Sequence, residues 1–403
     1  MGDFHQTGIV TTLHILGDRD LGTLEADLNR MAKVRPVALV LPSLFSELRG
    51  KALPGIIREL KKVTYLRQVV VTLGGADLPR EFAEAKRFFS ALPQETRIIW
   101  NNGKRLENIF RLVEDRHLRI GGEGKGRAAW MAYGYILASR KSRIIALHDC
   151  DIVNYQRGLL ARLCYPVVNP DLDYEFCKGY YSRVTDRMYG RVTRLFVFPL
   201  IRALQKVVGP QPFLSFLDSF RYPLAGEFSM DAELARINRI PGDWGLEVGI
   251  LSEILRNCSP KRVCQVELCQ TYEHKHQPLS RKDPKRGLLK MSVDIAKTLF
   301  RTLASVGIIF NKGTFTTISS AYTREAQDAR DRYAADAAIN GLFYDRHAEG
   351  IAVEAFARGL DIAGETFLQD PLGTPRIPNW NRVLSAIPDI FDRLEEAVER
   401  DNR

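Results

Sequence analysis

Two carboxylates, Asp149 and Asp151, stand two residues apart at the end of a short apolar run, in the stretch ALHDCDIV at 146–153. In extended chain, residues i and i+2 point to the same side, so both acids face one way and Cys150 the other. Like charges held this close repel unless a cation or a proton relieves them. Hard carboxylate oxygens with open positions suit Mg2+ or Mn2+ bridging the phosphates of a substrate. On spacing alone, an acidic turn closing a strand accounts for the pair equally well. One helix upstream, GGEGKGR at 121–127 surrounds Lys125 with glycines. A loop of this kind at a helix start brings backbone N–H groups and an ammonium to a phosphate. It is not a P-loop, because Gly126 follows the lysine where Ser or Thr is required. Nor is it a dinucleotide fingerprint, because Arg127 stands where the last glycine belongs. A flexible turn carrying a lysine is the competing reading.

Three further places carry chemistry-bearing side chains. Arg191 offers a planar, permanently charged fork for phosphate or carboxylate, and Thr193 adds a hydroxyl on the same side of extended chain. A surface ion pair explains Arg191 as readily in isolation. His274 and His276 are also two apart and share a face in extended chain; without a partner such a pair is solvated rather than ligating. Glu247 follows Asp243 and Trp244 in DWGLEVG, a pattern that can simply start a helix with Asp243 as its cap.

The elements that must position these groups follow from periodicity. PVALVLP (36–42), QVVVTL (68–73), RIIW (97–100) and RIIALH (143–148) are short and rich in Val, Ile and Leu, as strands buried on both faces should be. Between them, apolar residues recur at three- and four-residue steps, which predicts helices, with Pro54 kinking or delaying the first. Strand–helix alternation implies right-handed crossovers and an α/β fold, an open and mostly parallel sheet with helices on both faces. Ligands of such sheets bind beyond the carboxyl ends of the strands, which is where Asp149 and Asp151 fall. From about 281 long helical patterns take over, and the polar, basic segment QPLSRKDPKRG marks the expected boundary. The expected division is an N-terminal arm at 1–35, a catalytic domain at 36–280 with halves meeting near 152–153, and a helical region at 281–403.

Composition narrows the class. The chain has 403 residues, 45% of them hydrophobic, and 58 Lys and Arg against 48 Asp and Glu leave a formal charge of +10. That balance favours anionic partners without choosing among nucleotides, phosphorylated metabolites, nucleic acid and anionic lipid. Nucleic acid is disfavoured because the basic residues are scattered and no aromatic–basic RNA signature occurs. The six cysteines form no CxxC pair, and a chain of this size needs no disulfide staples. Reduced thiols and a cytoplasmic location are expected, with no signal peptide and no membrane span.

At this point the residues carry a resemblance. A strand ending in Pro42-Ser43-Leu44, a helix with Glu47, the Gly-Lys-Gly loop and the Asp-x-Asp resemble a GT-A nucleotide-sugar glycosyltransferase with a Rossmann-like sheet. Downstream, KGYYSRVTDRMYGRVT (178–193), PLAGEF (223–228), DWGLEVG (243–249) and EHKHQPL (273–279) are similar to the glucosyl-3-phosphoglycerate synthases. These are retaining enzymes of the glucosylglycerate compatible-solute route, with mannosyl-transferring relatives. The resemblance runs from about 36 to 280.

It implies transfer of glucose from a nucleoside-diphosphate glucose to 3-phosphoglycerate, with Mg2+ or Mn2+, by a homodimer. Pro42, Leu44 and Glu47 would hold the base, Lys125 the phosphates and sugar, and Asp149 the ribose side of the donor. Asp151 and His274 would hold the metal, Gly190, Arg191 and Thr193 the acceptor, and Glu247 the hydroxyls of the transferred sugar. Three departures leave the base and the acceptor open. His276 stands where an Asn of the acceptor site is common, PSLFSEL replaces a more acidic base-binding turn, and TLGGAD replaces an Asp-Ser-Gly-Ser type of strand end. A mannosyl donor or another acceptor is the nearest alternative; a non-catalytic nucleotide- or nucleic-acid-binding protein is the remote one.

Overall fold

The computed structural model describes residues 6, 8–17, 19–274, 279–280, 283, 286–373 and 376–403. Eight strands form one sheet: β1 (Thr11–Leu13), β2 (Val37–Leu44), β3 (Leu66–Gly74), β4 (Glu95–Trp100), β5 (Ile144–Leu147), β6 (Phe176–Tyr181), β7 (Phe228–Asp231) and β8 (Val263–Cys269). Their order is β1-β8-β6-β7-β5-β2-β3-β4. Every pairing is parallel except those of β7, which runs antiparallel between β5 and β6. The four strands expected from the apolar runs are β2 to β5, and they form one continuous parallel half.

Why those runs lack polar alternation is visible in the packing. Val37, Leu39 and Leu41 of β2 enter one hydrophobic core, and Ala38 and Val40 enter the other. β5 divides likewise, Ile144 and Ala146 to one side and Ile145 and Leu147 to the other. Burial on both faces favours apolar side chains at every position of a strand. Pro54 sits in the first turn of the helix Ala52–Leu60, where its missing N–H would have had no helical partner. The chain before it, Phe45–Arg49, forms a separate 3-10 turn carrying Glu47.

Residues 1–35, expected as an arm, include the edge strand β1, which pairs with β8, and the helix Leu21–Met31. The helices after 281 share a core with the sheet. Trp380 is fully buried and stacks on Trp130 at 4.1 Å between ring centroids, and each indole N–H donates to a backbone carbonyl across the junction. The final helix, Ile390–Asn402, lies along the edge strand β4. There Asn402 accepts from Ile98 N (3.0 Å) and donates to Ile98 O (2.8 Å), so the side-chain amide covers an unpaired edge that could otherwise recruit another strand.

Candidate active site

The carboxyl ends of β2 and β5 open into a cavity of 530 Å3, and Lys125, Asp149, Asp151, Arg191, Glu247 and His274 all line it. Pro42 and Leu44 at the end of β2, Glu47 in the turn after it, and Gly190 and Thr193 beyond the end of β6 line it as well. Eleven of the twelve residues singled out from the sequence therefore meet at one place. The twelfth, His276, lies outside the described residues.

Lys125 opens the helix Lys125–Ser139, and its ammonium sits 2.6 Å from Asp149 Oδ1 and 3.0 Å from Glu247 Oε1. Burial disfavours its charge, but the two carboxylates outweigh that and hold the lysine protonated well above its ordinary range. Burial likewise pushes the Asp149 carboxyl up, and Lys125 more than reverses it, so Asp149 stays ionised below its usual value. Two glycines make this geometry possible. A Cβ on Gly126 would lie 2.0 Å from the Pro241 carbonyl oxygen, and one on Gly226 would lie 2.2 Å from Asp149 Oδ2. The glycine pattern thus serves close backbone approach from the 241–242 turn and room for the Asp149 carboxylate.

Glu247 is in the first turn of the helix Leu246–Asn257. Gly245, not Asp243, occupies the N-cap position; Asp243 Oδ1 instead accepts from Gly245 N in the turn before it.

Asp151 and His274 come together through backbone pairing. Ile152 bridges His274, Val153 N donates to Glu273 O, and the Asn154 side chain bonds Thr271 and Glu273. This stitch brings His274 Nδ1 to 3.6 Å from Asp151 Oδ2, with both side chains about a quarter to a third exposed (25% and 31%). Among the described residues, no group of three or more His, Cys, Asp or Glu side chains is placed to hold a metal ion. A carboxylate and an imidazole facing an open cavity fit a six-coordinate hard cation that takes its other oxygens from a diphosphate and water. The other acid of the pair, Asp149, is occupied by Lys125, so the two carboxylates have different partners.

Also lining the cavity, Gly190 has φ +73°, a left-handed conformation suited to glycine, and starts the chain into a π-helical turn, Val192–Val197. Thr193 is buried, and its Oγ1 has no hydrogen-bond partner among the described residues, an orphan donor on the cavity wall. Arg191 donates Nε to Glu349 Oε1 at 2.6 Å, while Arg194 donates Nη2 to the other oxygen at 3.0 Å. The ion-pair reading of Arg191 is thus realised on a residue that also lines the cavity. Glu349 lies on the helix Arg346–Gln369 and was invisible from the sequence, since nothing local to position 349 marks it. Exchanging Glu349 for Ala is expected to raise the acceptor KM about tenfold while kcat changes less than about threefold, the loss of one charge-assisted bond that orients Arg191. Steady-state kinetics with the acceptor varied checks this; a fall confined to kcat would contradict it.

Two buried groups of the site were also missed. Glu227, inside PLAGEF, accepts from Tyr181 Oη (2.8 Å) and Tyr272 Oη (2.6 Å), whose rings stack face to face, and burial with nearby Asp149 pushes its carboxyl up. Lys178 on β6 is 1% exposed, its Nζ has no hydrogen-bond partner among the described residues, and burial lowers its pKa from 10.5 to about 8. A lysine depressed in the fold costs stability in full below its folded pKa, less as pH rises towards 10.5, and nothing above. Lys178→Met should therefore raise stability at pH 7 by on the order of 2 kcal/mol, and Tm with it, the gain disappearing by about pH 10.5. Thermal melts across that range measure it, and a pH-independent difference would point to packing instead.

This is the fold of a GT-A glycosyltransferase, with the acidic pair, Lys125 and Arg191 around one cavity at the carboxyl ends of the strands. No family model matches the chain. It is 50% identical over 402 residues to the glucosyl-3-phosphoglycerate synthase of Persephonella marina, covering 100% of this chain and 99% of that one. To the glucosyl-3-phosphoglycerate synthase of Methanococcoides burtonii it is 39% identical over 404 residues, covering 99% and 98%. The chain belongs to the glucosyl-3-phosphoglycerate synthase family. A solved structure of the Mycobacterium tuberculosis glucosyl-3-phosphoglycerate synthase, in complex with Mn2+, uridine-diphosphate-glucose and phosphoglyceric acid, shares the fold. Its TM-score is 0.53 at 20% identity, over 76% of this chain and 90% of that one.

Proposed function

We propose that the chain transfers glucose from a nucleoside-diphosphate glucose to the hydroxyl of 3-phosphoglycerate, with a Mg2+ or Mn2+ ion at the diphosphate. Kinship over the full length with proteins of that name supports this, as does the likeness to a fold solved with Mn2+, uridine-diphosphate-glucose and phosphoglyceric acid. The observation that carries it is a single 530 Å3 cavity with cationic and hydroxyl groups on one wall and the Asp151–His274 pair on the other.

The chemical problem is departure of a diphosphate from the anomeric carbon. Bound between Asp151, His274 and the diphosphate, the divalent ion would supply Lewis-acid stabilisation of the leaving oxygens. Lys125 adds a fixed positive charge, kept from reorienting by Asp149 and Glu247. Pro42, Leu44 and Glu47 receive the base, and Asp149 the ribose side of the donor. Glu247, held ion-paired with Lys125, positions hydroxyls of the transferred sugar rather than acting as a base. Arg191 and Thr193, with the Gly190 backbone, take the phosphate and carboxylate of the acceptor; His276 is assigned there on the resemblance. The acceptor hydroxyl attacks from the leaving-group face, so configuration is retained. The carbon–oxygen bond to diphosphate breaks, the bond to the acceptor oxygen forms, and the hydroxyl proton passes to the departing phosphate.

Incubating the purified protein with radiolabelled UDP-glucose, GDP-glucose or GDP-mannose, each with 3-phosphoglycerate and Mg2+, tests the reading. Glucosyl-3-phosphoglycerate is the expected product; absence of transfer from every donor would remove the acceptor assignment, and mannosyl product alone would replace the donor. We also assign the protein to the cytoplasm, as a homodimer. Exposed Val306, Ile309 and Ile339 in the helical region support association, and no helix among the described residues is long and apolar enough to cross a membrane.

A further inference from the structure

A second cavity lies elsewhere. It measures 900 Å3 and lies on the far side of the π-helical turn Val192–Val197, between the chain at Gly8–Ile9, the helix Phe198–Val208, the turn at Ser219–Arg221 and the long helix Lys312–Ile339. Four arginines line it, Arg194, Arg202, Arg221 and Arg332, against two acids, Asp218 and Asp336. Arg202 and Arg332 make no salt bridge within 4.0 Å among the described residues, and Arg221 only covers the Tyr180 ring.

Arg194 is the informative member. The residue is 9% exposed, donates Nε to Tyr189 O and Nη2 to Met188 O and Glu349, and rests over the Tyr333 ring. Its Nη1 is buried and makes no hydrogen bond of ordinary geometry among the described residues, with the Tyr344 side chain close to the guanidinium. A buried guanidinium N–H left without an acceptor is costly, and such groups are normally satisfied by protein, water or ligand. Three less constrained guanidiniums around the same space supply what a phosphorylated ligand requires, several planar forks with charge to spare over the acids present.

We propose that this cavity is a second anion site, separate from the transferase site, that binds a small molecule carrying phosphate groups. Arg202 and Arg332 take the ligand's phosphate oxygens from the two flanking helices, Arg221 adds a third fork from the turn, and Arg194 contributes positive charge from the inner wall. The volume accommodates more than one phosphate group, and Asp218 and Asp336 at the wall disfavour a ligand without enough charge to outcompete them. The assignment does not depend on the donor or acceptor of the transferase reaction.

Inorganic pyrophosphate is the probe, titrated calorimetrically into the full chain in EDTA at constant ionic strength. Wild type is compared with the Arg202→Ala/Arg332→Ala pair and with Arg191→Ala. The double variant should lose one binding event or at least tenfold in affinity. Arg191→Ala, which removes a guanidinium from the transferase cavity and leaves the Arg194–Glu349 bond in place, should keep that event. Thermal melts and kcat at saturating substrates show whether the double variant folds; an Arg202→Gln/Arg332→Gln pair replaces it if it does not. Isotherms that superimpose for wild type and the double variant, or no binding by wild type up to millimolar pyrophosphate, overturn the proposal.

Discussion

Replacing Asp151 by Ala is expected to lower kcat by about a thousandfold at saturating substrates, corresponding to about 4 kcal/mol of lost transition-state stabilisation. Stimulation by added Mg2+ or Mn2+ should disappear with it. The size follows from the donor set. With Asp151 and His274 as the proposed donors among the described residues, removal of the carboxylate leaves an imidazole, a neutral ligand that binds hard cations poorly. The diphosphate then has to leave with Lys125 alone opposing its charge. Asp151 is about a third exposed and touches no buried ion pair, so the fold should survive, and unchanged melting separates lost chemistry from lost structure. Asp151→Asn keeps the shape without the charge and should be nearly as damaged; His274→Ala, which leaves the carboxylate, should lose less. Metal titration of the initial rate is the deciding measurement. Activity within tenfold of wild type, with the same metal dependence, would place the cation elsewhere.

Lys125→Met tests the other half of the charge arrangement and carries a pH signature. The substitution keeps the length of the side chain and removes the ammonium from between Asp149 and Glu247, so kcat/KM should fall by about a hundredfold or more. It also leaves two clustered carboxylates without their cation, one of them, Glu247, nearly buried (side chain 6% exposed). In wild type the raised lysine contributes stability that is complete below its ordinary 10.5 and is lost as pH rises through the higher folded value. The depressed Asp149 contributes stability present above its ordinary 3.8 and lost as pH falls through the lower folded value. Both contributions are present together between those limits. The variant's Tm deficit should therefore be widest near pH 7 and shrink towards pH 4, as Asp149 takes up a proton and its repulsion of Glu247 is lifted. A deficit that does not change between pH 4 and 8 would mean that packing of the lysine stem, not its charge, matters.

The transferase half of the sheet was legible because its signals are local. Strands β2 to β5 each contain a short apolar run whose side chains enter two cores on opposite faces, and the ends of β2 and β5 fall at the ligand edge by topology alone. The glycines around Lys125 were legible as a loop, but their physical reason was not. Gly126 is needed because the Pro241 carbonyl lies against it, and that contact spans the domain. Glu227 and Lys178 escaped notice because a charged residue inside a strand pattern has no spacing signature, although both sit in stretches whose family resemblance was already apparent.

What the sequence by itself determined was the class of fold, the strand end bearing Asp149 and Asp151, and the set of side chains able to serve a nucleotide-sugar reaction. Alternation and periodicity are written over a few residues and survive without knowledge of the rest of the chain. Only the tertiary structure decided the pairings. It gave Asp149 to Lys125 and Asp151 to His274, the latter through the Ile152–His274 bridge. It also placed Glu349 on Arg191 across 158 residues, so a helix beyond the expected catalytic domain holds this cavity-lining arginine in place. Ion pairs over such separations depend on how layers stack, and one carboxylate on a helix face carries no local mark of the guanidinium it will meet.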